Sequence, residues 1–250
     1  MKTMKFCAAI IGFSMASYAA TACAQVGIDK CLLLSQSDSY KLTSNIPKTP
    51  KYLLDGSCLE VAADFVTIDL NGFSIIGNGT GTGSGVTDAG IARVGTTIKN
   101  GSIRGFASSG VDLSVSSLTM IDGLIVTSNS GQGIAVGVAD PEFAPDGGNI
   151  VMNSRVEGNE LNGIVSAPGD RIVGNTVLSN GRNGIFVSVG TLVKGNVVRG
   201  HGNDGAGIGN LGQCLIVQNV VTGSGSGGEI QNPLGCDVID NFGTVVPPIP

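Results

Sequence analysis

The 250-residue chain carries 40 glycines, about twice ordinary usage, and is 42% hydrophobic, 13% charged and 4% aromatic, with no Trp. Its apolar content and net charge of only −5 exclude intrinsic disorder. The composition is not that of a helical bundle, and glycine without a period of three excludes collagen. A pI near 4.7 argues against nucleic acid as a partner, because an acidic surface repels phosphate.

Lys2 and Lys5 precede an apolar run from Phe6 to about Tyr18, which closes on Ala22-Cys23-Ala24 before Gln25. That order is expected of a secretory signal peptide spanning 1–24. Lipid attachment at Cys23 is the alternative, although Ala20 stands where a lipobox usually carries Leu. Without residues 1–24 the chain has 12 basic and 19 acidic residues. No later stretch reaches the roughly 18 apolar residues of a membrane span. The chain is therefore expected to be exported, periplasmic or extracellular, with no membrane span.

Residues 25–60 match no repeat and read as an N-terminal cap. Thr67-Ile68-Asp69-Leu70-Asn71-Gly72 then resembles Thr97-Ile98-Lys99-Asn100-Gly101. Between them, Gly77 to Gly90 is nearly all Gly, Thr and Ser and reads as an insertion. A second insertion, Gly137 to Gly147, contains Asp140-Pro141-Glu142-Phe143-Ala144-Pro145-Asp146.

Beyond it the chain repeats. Asn175, Asn196, Asn219 and Asn241 are spaced by 21, 23 and 22 residues. Ile172, Val193, Ile216 and Val238 stand three places before them. Ile164, Ile185, Ile208 and Ile230 form a parallel series that extends back to Ile134 and Val111. Apolar and small polar residues alternate over four to six positions, as in strands, between Gly- and Asn-rich turns. Unequal spacing suits a solenoid, whose turns absorb insertions, and a coil of about 22 residues fits a parallel β-helix. Seven or eight coils over residues 61–245 are expected, with apolar files inside and the Asn residues stacked as an amide ladder. The Pro-rich tail, 246–250, ends the stack.

Four cysteines lie beyond residue 24, and an even number in an exported chain suggests disulfides. Cys214 and Cys236 each lie five residues before a repeat Asn, so stacking places them within disulfide reach. That leaves Cys31 with Cys58.

Tyr52-Leu53-Leu54, Cys58-Leu59-Glu60-Val61 and Val66 to Gly72, followed by the Gly-Asn-x-Val and Asn-Gly-Ile coils, resemble bacterial exported right-handed β-helix repeat proteins of the pectate lyase-like superfamily. The resemblance implies an all-β right-handed parallel β-helix. It also implies a polysaccharide lying along its side. The superfamily's enzymatic signatures are only fragmentary. Gly200-His201-Gly202 resembles a polygalacturonase tripeptide, but the accompanying carboxylate pair is missing. Asp140-Pro141-Glu142 resembles the Asp-Pro-His of alginate epimerases, with Glu in place of His. The weak catalytic candidates are therefore Asp140, Glu142, Arg155, Arg182 and His201. His201 falls in a predicted turn and is expected to be exposed. No cofactor is expected, and calcium is the one ion that the acidic 137–147 insertion would invite. Among the aromatics, Phe143 is the one expected to be exposed. The primary expectation is a non-catalytic structural or carbohydrate-binding module at the cell envelope. The alternative is a lyase, epimerase or hydrolase acting on an acidic polysaccharide.

Overall fold

The computed structural model describes residues 25–47, 56–137, 147–202, 204–231 and 235–246. The proposed signal peptide, Cys23, the Tyr52-Leu53-Leu54 run, Asp140, Glu142, Phe143 and the last four residues lie outside them.

Most strands are three residues long, and they pair in parallel into a fifteen-stranded and a ten-stranded sheet. The chain alternates between the two. Ile164–Ser166 lies in the ten-stranded sheet. Arg171–Val173 and Thr176–Leu178 follow in the other, and Ile185–Val187 returns to the first. The result is a right-handed parallel β-helix.

The sequence landmarks become vertical neighbours. Val111, Ile134, Ile164, Ile185, Ile208 and Ile230 form one continuous file of strand partners, all fully buried. Ile172, Val193, Ile216 and Val238 form another. Burying one such side chain contributes about 1.5–3 kcal/mol, and the interior is a column of them.

The corners between strands are polar. At one corner, the Oδ1 of Asn196 accepts both the backbone N–H and the Nδ2–H of Asn175. Asn219 does the same for Asn196, and Asn241 for Asn219. Each Nδ2 also donates to a strand carbonyl of the preceding coil, as Asn196 does to Ile172. A second ladder runs through Asn129, Asn159 and Asn180. Buried backbone donors that strand pairing leaves over are satisfied in this way.

Eight of the ten strands of the smaller sheet follow residue 61, in keeping with the seven or eight coils expected there, and two more precede them. Residues 25–60 are not a cap outside the repeat. They supply Val26–Ile28 and Ser39–Leu42 to the large sheet and Leu32–Leu34 to the small one. Gly77 to Gly90 is likewise no mere insertion, because it contains the strand Val86–Thr87, paired on both sides. The early rungs escape the 22-residue period because their coils are longer. Leu32 pairs with Leu59, Leu59 with Val86 and Val86 with Val111.

Both expected disulfides form. Cys31–Cys58 and Cys214–Cys236 have Cα separations of 4.4 and 4.5 Å and join adjacent coils near the two ends.

Val177 pairs with Val156 below and Val198 above and is fully buried. Val177→Asp would place an unpaired carboxylate in this dry file at a cost of several kcal/mol, a large part of a typical folding free energy. Thermal denaturation should show the cooperative transition lost or lowered by many degrees, and an unchanged melt would contradict the inward file.

Candidate functional site

Strands of the ten-stranded sheet turn every second side chain outward. Down its centre this outer file runs Glu60, Thr87, Asp112, Ala135, Val165 and Phe186. An open groove of about 330 Å³ lies over its middle. Asp112, Ala135 and Val165 form the floor. Ser108, Ser109, Gly131, Gln132 and Leu161 line one rim, and Ser114 and Gly137 the other. The rims are tied to the scaffold. Ser109 accepts the Gln132 backbone N–H at 3.2 Å, and the Gln132 Oε1 accepts the Asn162 backbone N–H at 2.8 Å. Hydroxyls and an amide thus flank a floor of one carboxylate and two apolar side chains, a lining able to match the hydroxyls and C–H faces of a sugar.

Asp112 has an acidic neighbour in the coil below. The Asp88 backbone N–H bonds the Asp112 carbonyl at 3.1 Å. The Asp88 carboxylate is buried and accepts from Gly90 N, Val115 N and Ser116 Oγ. Burial raises its pKa against those donors, and the Asp112 charge raises it further.

The sequence candidates that fall among the described residues do not converge. Arg155 is exposed on the large sheet, where its Nε bonds Glu157 at 2.8 Å. Arg182 is exposed in a turn, one coil beyond Leu161 on the groove rim, where its backbone N–H bonds the Leu161 carbonyl.

His201 is a correction. It is not an exposed turn residue but is 7% exposed and stands at the next ladder position after Asn180. Its Nδ1 accepts the Asn180 backbone N–H at 3.4 Å, as Asn180 Oδ1 accepts that of Asn159. Its Nε2 faces the Val177 carbonyl without completing a hydrogen bond. Burial holds its pKa down to about 4, so the ring is neutral at physiological pH.

Asp170 was not foreseen from sequence. It occupies another ladder position, fully buried, and accepts from Asn149 N, Asn149 Nδ2 and Ala167 N. Burial pushes its pKa up to about 7, and the N–H donors oppose the rise. Both residues stand where neighbouring coils place a neutral amide or hydroxyl, in a wall of the interior rather than in the groove. No group of three or more His, Cys, Asp or Glu positioned to hold a metal ion occurs among the described residues. Nor is any helix there long and apolar enough to cross a membrane.

The family model described as "Right handed beta helix region" matches residues 55–192, more than half of the chain. The chain belongs to the right-handed β-helix family. No curated protein sequence matches this β-helix protein. Among solved structures it is similar to a point mutant of the periplasmic alginate epimerase AlgG, with 18% identity and a TM-score of 0.52 over 72% of this chain and 47% of that one. It is also similar to the A-module of the mannuronan C-5 epimerase AlgE6 from Azotobacter vinelandii, with 14% identity and a TM-score of 0.54 over 81% and 64%. At these identities the likeness concerns the fold, and the β-helix protein spans about half the length of the AlgG chain.

The His201 site yields a pH prediction. The folded value, about 4, lies below the ordinary 6.5, so the unfolded chain takes up the proton first. The contribution of the neutral ring is complete above about pH 6.5 and is lost as pH falls towards 4. His201→Asn restores a ladder amide, so it should match or exceed the parent in stability and lose less of it between pH 7 and pH 5. His201→Ala leaves the Asn180 N–H without its acceptor and should cost about 1–3 kcal/mol. Thermal melts at the two pH values read both effects.

Proposed function

We propose that this β-helix protein is an exported polysaccharide-binding module that holds a glycan chain along its lateral groove. The observation that carries the reading is the lining of that groove. Ser108, Ser109, Ser114 and Gln132 offer donors and acceptors on both sides of a floor made by Asp112, Ala135 and Val165. The likeness in fold to two epimerases whose names concern alginate and mannuronan supports a polysaccharide as ligand. Export is supported by the signal-like N-terminus and by the two disulfides, which persist in oxidising compartments. A binding role rather than a catalytic one is supported by the separation of Arg155, Arg182 and His201, which occupy an outer sheet face, a turn and the interior.

One observation favours the enzymatic alternative. Asp112 in the groove has an acidic neighbour, Asp88, in the adjacent coil, and that buried carboxyl is the one whose pKa is raised. Two acids with unlike environments are what a general acid and a charged partner require.

Affinity electrophoresis against a panel of acidic and neutral polysaccharides tests the binding reading. At least one polymer should retard the protein. Asp112→Ala should weaken that binding by about tenfold without lowering Tm, because the side chain faces outward. Ultraviolet detection of unsaturated products and a reducing-end assay on the same panel separate the two readings. Turnover that disappears in Asp88→Asn and Asp112→Asn would establish the enzyme.

A further inference from the structure

On leaving most rungs of the ten-stranded sheet, the chain turns into the large sheet through a residue in the left-handed region. In most coils that residue is glycine, as at Gly95 (φ 74°), Gly148 (77°), Gly169 (75°) and Gly190 (72°). Two coils depart from this. Phe65 (φ 54°) and Leu118 (51°) adopt the same backbone conformation with large apolar side chains. The four positions 65, 95, 118 and 148 are stacked. The Phe65 N–H bonds the Val94 carbonyl, the Gly95 N–H that of Ser117, and the Leu118 N–H that of Gly147. Left-handed backbone is costly for a bulky side chain, so both coils carry strain that glycine would remove.

The strained side chains do not buy a better core. Phe65 is 68% exposed and Leu118 59%. Each leans across the glycine of the next coil. A Cβ added at Gly95 would lie 2.6 Å from Phe65 Cδ1, and one at Gly148 would lie 2.9 Å from Leu118 Cδ2. The backbone beneath needs no such cover, for nothing lies within 4 Å of a Cβ at Gly169, the equivalent glycine further along. Phe65 and Leu118 therefore form an exposed apolar ridge along the helix axis, which meets the end of the groove at the coil that holds both Leu118 and Asp112. Leu118 lies four residues after Ser114, a groove rim residue.

The spacing suggests what the ridge receives. One coil advances about 4.8 Å, close to the advance of one sugar in an extended β-1,4-linked chain. In such a chain alternate sugars present the same face, and the two apolar side chains stand on alternate coils. Charge narrows the class further. The groove lining has one carboxylate and no Lys or Arg, and the whole chain carries −5. A polyuronate would meet repulsion here. We infer that the ligand is a neutral β-1,4-linked glycan whose alternate sugars rest their C–H faces on Phe65 and Leu118. This inference rests on the reading of the protein as a glycan-binding module, and it names the glycan.

Calorimetric titration with cellohexaose and mannohexaose, set against a mannuronan hexamer, tests it on the whole protein and on Phe65→Gly, Leu118→Gly and Asp112→Ala. A neutral hexamer should bind at least about tenfold more tightly than the uronate. Phe65→Gly and Leu118→Gly should each raise Tm, by releasing left-handed strain, and weaken the neutral hexamer by about tenfold or more. Glycine variants that melt higher but bind as the parent does would overturn the inference, and so would tighter binding of the mannuronan hexamer. If Phe65→Gly loses affinity while Asp112→Ala keeps it, the groove reading fails and the ridge stands. The reverse outcome removes the ridge and keeps the groove. Binding of none of the hexamers sinks both.

Discussion

A chain that changes direction several times in every coil buries backbone N–H groups at each corner, and those groups must find acceptors inside the protein. Here the acceptors are side chains from the next coil. An asparagine suits the position because its oxygen accepts while its nitrogen donates. The Asn175, Asn196, Asn219 and Asn241 file uses both capacities at every step. A slip of one residue would break the amide chain and turn the apolar file outward together. Register is thus fixed by two kinds of side chain at once, and the outer faces are freed for other uses.

That division of labour explains where chemistry can and cannot sit. Asp112, Ala135 and Val165 face outward from strands whose inward residues already do the packing. His201 and Asp170, the most strongly perturbed titratable groups, belong to the wall instead. Their shifted pKa values arise from burial at positions where other coils carry uncharged groups. A perturbed carboxyl or imidazole is often a pointer to an active site, but here the hydrogen-bond ladders account for both residues.

The C-terminal half of the fold was legible because each coil there carries the same marks, an Asn followed two places later by Val and an isoleucine about 22 residues from the next. The N-terminal rungs were not. Leu32 pairs with Leu59 and Leu59 with Val86, each 27 residues on, a spacing that none of the later landmarks shares. The strand Val86–Thr87 is too short to stand out from the Gly, Ser and Thr around it. The position of His201 was present in the spacing, since it follows Asn180 by 21 residues as Asn180 follows Asn159. Its glycine neighbours masked this, because Gly-His-Gly reads as a turn. Phe65 and Leu118 were invisible for the opposite reason. Sequence marks a left-handed turn by its glycine, and these two break that rule. The groove floor was equally hidden, because Asp112 becomes distinctive only once stacking sets it beside Ala135 and Val165.

The second-sheet file absorbs one large change of coil length without disturbance. Ile134 pairs with Ile164 thirty residues on, whereas Ile164 pairs with Ile185 after twenty-one. The surplus falls between Gly137, whose N–H is bonded to the Leu113 carbonyl, and Gly147, whose carbonyl is bonded to Leu118 N–H. Both ends of that segment are thus anchored to neighbouring coils, and closing a loop twice as long between fixed points costs only about 0.6 kcal/mol more. Natural variation or an engineer could exchange the residues between these glycines almost at will. The frame would behave as a socket, accepting new peptide beside the groove while the ladders that hold it upright go on unaltered.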